Sequence, residues 1–69
     1  MNNSQAILDF EQRCEALGSD ATERQVSSLL SWAQECLRRD ELEIAATIAA
    51  MYGVPGLYTD IRMIQGEGV

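Results

Sequence analysis

The sequence predicts an all-α protein: one small domain over residues 1–69, a helical hairpin or bundle of three helices followed by a short C-terminal segment. Three observations predict it. Apolar residues recur at three- and four-residue spacing through most of the chain. Capping-box spacings stand before two of the periodic segments. Gly18 and the break Gly53-Val54-Pro55-Gly56 mark where helices stop.

The first helix is expected from about Ser4 to Leu17. Ile7, Phe10, Cys14 and Leu17 fall within roughly 80° of one another on a helical wheel. Asp9, Glu11, Gln12 and Glu15 lie off that stripe, and Leu8 stands outside it as an exposed leucine. The second helix is expected from Ala21 or Thr22 to Arg39. Asp20 with Glu23, and Thr22 with Gln25, both have capping-box spacing. Val26, Leu29, Leu30, Ala33, Cys36 and Leu37 form one apolar stripe, with Trp32 on its shoulder. Arg38 and Arg39 would then complement the dipole at the C-terminal end.

The third helix is expected from Glu41 to Tyr52, with Asp40 and Glu43 as its capping box. Beyond Glu43 it is apolar almost all round, and Thr47 alone interrupts. A helix apolar on every side must be covered on every side. Two other helices of this length leave part of it bare, so a homodimer or an obligate complex is expected. The tail admits two readings. Pro55 suits the first turn of a fourth helix over 55–65, with Leu57, Ile61 and Ile64 at helical spacing. Alternatively, Val54-Pro55-Gly56-Leu57 is a type II turn leading into a strand from Tyr58 to Ile64. Residues 66–69 are expected to fray.

The chain of 69 residues carries eleven acids and five basic residues, for a net charge of −6. The basic residues are all arginine: Arg13, Arg24, Arg38, Arg39 and Arg62. That balance argues against direct nucleic-acid binding, which needs a basic patch, and against anionic membrane surfaces. The N-terminal residues lack the basic and apolar regions of a leader. The longest apolar run, Ile44 to Tyr52, falls far short of the roughly 20 residues that span a bilayer. A cytoplasmic location is the default expectation.

Catalytic chemistry finds little to work with. There is no histidine or lysine. Histidine triads, most zinc sites, Schiff-base chemistry and the P-loop are therefore excluded. Cys14 and Cys36 sit about ten residues out of register in a hairpin turning near Asp20, or roughly 15 Å along a helix. A disulfide needs Cα atoms within about 7 Å, so both cysteines read as small core residues. Ser27, Ser28 and Ser31 have no base beside them and read as an exposed helix face. The carboxylates read as solvated faces or caps. The expectation is no enzyme, no metal and no cofactor.

What remains is interaction surface. Trp32, Tyr52 and Tyr58 are residue types enriched at binding hot spots, and Met51 and Met63 are adaptable packers. Ile48 and Ala49 on the third helix, and Ile61 and Ile64 on the tail, join them as expected partner or dimer contacts. Glu41 and Glu43 would steer the encounter by charge.

Residues Leu29 to Pro55 resemble a tetratricopeptide-type helical hairpin, with Ala33 and Ala45 at the small-residue positions and Asp40 at the turn. Small type III secretion chaperones use such hairpins to hold an export substrate. In length, acidity and helical style the whole chain is similar to small phage-encoded or bacterial anti-activators. That resemblance implies an inhibitor that binds a transcription regulator, such as a quorum-sensing activator, and blocks it. A structural assembly subunit is the reading from a different class.

Overall fold

The computed structural model describes residues 4–67. Four helices make up the described chain: α1 (Ser4–Leu17), α2 (Glu23–Cys36), α3 (Arg39–Tyr52) and α4 (Leu57–Glu67), with a single 3-10 turn at Gly18–Asp20. No strand occurs among the described residues. The second reading of the tail, a strand, is thereby set aside.

Each junction has a local cause. Gly18 ends α1 by adopting φ 61°, a left-handed conformation open to glycine at little cost. Thr22 then caps α2 with a full capping box. The Gln25 amide donates to Thr22 Oγ1 at 3.2 Å, and the Thr22 amide donates to Gln25 Oε1 at 2.8 Å. Asp20 and Glu23, which share the same spacing, do not form the box.

The α2–α3 junction differs from expectation. The second helix stops at Cys36, because Leu37 turns extended (φ −101°, ψ 145°) and buries its side chain. Arg38 and Arg39 therefore open α3 and do not close α2. The cap lies two residues earlier than Asp40 and Glu43 would place it. Glu41 Oε1 accepts the Arg38 amide at 2.7 Å, and Glu41 is buried in doing so. Cys36, expected in the core, is exposed at this helix end.

The α3–α4 junction joins features of both expected readings of the tail. Gly53 takes φ 69° and ends α3 in a Schellman arrangement: its amide donates to the Ala50 carbonyl, and the Val54 amide donates to Ala49 at 3.3 Å. Val54 to Leu57 then forms a β-turn closed by the Leu57 amide on the Val54 carbonyl, with Gly56 at φ 77°. A helix follows that turn. It begins at Leu57, beyond Pro55, and runs through Gly66 and Glu67, which were expected to fray; residues 68–69 lie outside the described residues.

The packing order is the main correction. α3 lies at the centre, against α4 most extensively and then against α1, while α2 packs more lightly on α1 and α4. Contact between α2 and α3 is slight. The tetratricopeptide-type pairing of those two helices is not the one formed, and the hairpin is α3–α4. The core contains Phe10, Cys14, Leu57 and Ile61 as its largest fully buried side chains, around the small residues Ala45, Ala46 and Ala49. Those alanines let α1 and α4 approach α3 closely. Two helices thus cover most of a helix that seemed to need more.

Candidate protein-binding surface

α3 keeps one stripe outside this packing. Ile44 is 50% exposed and Met51 is 72% exposed. Seven residues apart, they face the same way on a helix, and the exposed Thr47 lies between them. Exposed Asp40 and Glu43 bring negative charge to the N-terminal end of the stripe. Thr47 turns its hydroxyl back to the Glu43 carbonyl at 3.3 Å, so it presents mainly its methyl group outward.

The expected contact residues divide into three groups. Ile48, Ala49 and Ile61 are core residues and cannot touch a partner while the chain is folded. Glu41 is occupied as a helix cap. These four are corrections: the close approach over the alanines buries the first three, and the cap at Arg38 takes up Glu41. Glu43, Met51, Tyr58 and Met63 are exposed as expected, but they do not form one face. On α4, Tyr58 and Met63 point about 140° apart. Ile64 is half-buried against the core.

Trp32 and Tyr52 form the third group. Each is half-buried and joins helices within the chain. Tyr52 donates its hydroxyl to Glu11 Oε2 at 2.9 Å, tying the end of α3 to α1. That bond, aided by burial, holds the Tyr52 phenol above its ordinary pKa. Close by, burial and the Glu11 charge push the Cys14 thiol up to about 11, which keeps it protonated and unreactive at neutral pH. Trp32 stacks on Phe10 with ring centres 6.4 Å apart, and the Arg13 guanidinium lies 4.5 Å from a Trp32 ring centre.

Two open depressions flank α2. One, of about 970 Å3, runs between α2 and the α3–α4 turn and mixes Glu23, Arg24 and Asp60 with Leu30 and Pro55. The other, of about 370 Å3, lies between α1 and α2 over Trp32 and carries Arg13 and Arg24. Neither closes over its contents.

Sequence reasoning passed over Ile44, Arg13 and Arg24. For Ile44 a signal existed: Thr47 is the one polar residue within the apolar run, and it marks the outer face. Arg13 and Arg24 gave no such signal, because their meeting across α1 and α2 is a tertiary fact. No protein-family model matches this sequence, and no curated protein or solved structure is significantly similar to it. No helix among the described residues is long and apolar enough to cross a membrane.

Proposed function

We propose that this chain is a non-catalytic binding protein that occupies a surface on another protein and thereby blocks it, with the α3 stripe as its contact. The observation that carries this reading is Ile44 and Met51, both well exposed on one side of a helix whose other sides are buried. Single exposed apolar residues are ordinary. Two of them a heptad apart on the central helix form a small docking ridge. Methionine adapts to an uneven partner surface. Asp40 and Glu43 beside the ridge favour a partner whose apolar patch is rimmed with positive charge. A DNA-binding regulator offers such a surface, and covering it would make this chain an anti-activator.

The test is capture from the source cells with the tagged chain and with an Ile44→Ser/Met51→Ser variant in parallel. The wild type should retain one dominant basic partner, and the variant should lose it while its helical signal is unchanged. Saturating amounts of the wild type should also inhibit that partner's DNA binding. Equal retention by the variant, or an unaffected partner, would overturn the reading.

A further inference from the structure

Two surfaces of this chain carry opposite charge around apolar centres. The α1–α2 groove places Arg13 and Arg24 beside Trp32, with Leu17 and Leu29 in its lining. Two of the five arginines thus line one depression of a chain whose net charge is −6. Among the described residues neither forms an ion pair, and Arg13 rests on the indole. The α3 stripe is the complement: Ile44 and Met51 are its apolar members, and Asp40 and Glu43 are its charges. The groove calls for a ligand that joins carboxylates to aliphatic side chains. The chain itself displays such a ligand, on a regular helix, at the same concentration as the groove.

We propose that the two surfaces meet between copies of this chain. The Ile44–Met51 stripe of one copy seats in the groove of another. Met51 and Ile44 pack on the half-exposed indole and Leu17, where thioether–aromatic contact is favourable. Asp40 and Glu43 lie toward the guanidiniums. Because the two surfaces differ, two such contacts about a two-fold axis close a dimer, whereas one repeated contact continues a chain. The proposal rests on the reading of the α3 stripe as a contact surface. It adds a regulation: self-association hides the stripe, so partner capture and assembly compete.

Sedimentation velocity of the full chain from low to high micromolar concentration, at low and high salt, tests this. The expected result is concentration-dependent association that weakens with salt. Trp32→Ala should weaken it about tenfold or more, in the manner of a hot-spot residue. Since Trp32 also packs on Phe10, Arg24→Glu at an exposed position supplies the second variant, and it should weaken association comparably. Glu43→Arg on the stripe should do the same. Mixing the Arg24→Glu chain with the Glu43→Arg chain should restore assembly, because each groove then meets a stripe of opposite charge. A chain that stays monomeric throughout overturns the proposal. So does association that resists Arg24→Glu but is lost in Ile44→Ser, since stripe would then pack on stripe. Loss of a captured acidic protein on Arg24→Glu, from a chain that stays monomeric, would assign the groove to a foreign occupant and also overturns it. Arg24→Glu should leave partner capture through the stripe intact or raise it. That outcome separates failure of self-association from failure of the proposed function.

Discussion

Helices α2 and α3 are both fourteen residues long and are buried in opposite ways. α2 has the cleaner amphipathic pattern, yet it buries only Val26, Leu29 and Ala33. α3 has almost no polar face beyond its first turn, and it buries Leu42, Ala45, Ala46, Ile48 and Ala49 as well as Glu41. A clean stripe says which side of a helix faces inward. It does not say how many neighbours the helix has. Alanine decides that here, because a helix with small side chains admits neighbours on several sides at short distance. α2 therefore serves as a flank against α1 and α4, and α3 as the axis of the fold.

Adding a charge to each helix should break the comparison open. Ala49 is fully buried. Ala49→Glu places an unpaired carboxylate in the core and should cost about 3–5 kcal/mol, enough to unfold a domain of this size. Gln34→Glu on the exposed side of α2, outside both depressions, should stay within about 0.5 kcal/mol. Thermal unfolding followed by circular dichroism reads both. An unchanged melt for Ala49→Glu would mean that α3 is not covered by its own chain.

A gentler pair sharpens the same contrast. Leu57 on α4 is fully buried against the α3 axis, whereas Leu29 on α2 retains slight exposure. Leucine-to-alanine changes in cores cost about 2–5 kcal/mol. Leu57→Ala should fall near the upper end and Leu29→Ala near the lower, by urea unfolding. Hydrogen exchange should likewise show α2 amides opening at lower free energy than those of α3. If Leu29→Ala proves the more costly, α2 is not peripheral.

Much of this fold was legible in the residues, and the misses share a cause. Helix existence followed from periodicity, and Thr22 with Gln25 announced the start of α2. Phe10 and Cys14 were readable as core from their stripe. Gly53-Val54-Pro55-Gly56 announced a break but not what came after it, since a turn closed at Leu57 can feed either a helix or a strand. The α2–α3 boundary was misplaced because Leu37 continues the helical stripe in sequence while its backbone turns extended to bury it. The contact surface was the least legible part. Ile48 and Ala49 were expected as partner contacts only under the assumption that two helices could not enclose α3, and Ile61 because the tail was not placed against α3. The Arg13–Trp32–Arg24 groove depends on how α1 and α2 dock, and no local spacing encodes that.

The seam between α1 and α3 should respond to alkaline pH. The Cys14 thiol is raised from 9.0 to about 11 in the folded chain. An unfolded chain releases this proton from pH 9 upward, while the folded chain retains it until about 11. The stabilisation is therefore fully present below pH 9 and is lost as pH rises to 11. The loss should be on the order of 2 kcal/mol. Tyr52, raised in the same direction by its bond to Glu11, should add to the decline. Urea unfolding across this range should show the slope, and Cys14→Ala should flatten it. A stability that holds constant from pH 9 to 11 would mean that Cys14 is hydrated and that α1 does not seal against α3.

The smallest effect should come from the outer stripe of α3. Ile44→Ser and Met51→Ser remove apolar groups that the folded single chain leaves largely in water, so each should shift its stability by no more than about 0.5 kcal/mol. Comparison with Ala49, on the same helix, then separates the inner side of α3 from the outer within a few residues. The measurement has to be made at several protein concentrations. If copies associate through the stripe, the wild-type melting temperature rises with concentration by mass action, and the serine variants should lose that dependence while matching the wild type in dilute solution. A loss of several kcal/mol in dilute solution would instead show the stripe to be covered by the chain itself. In that case α3 would have no free side, and the proposed contact surface would have to be sought on α4 near Tyr58 or Met63.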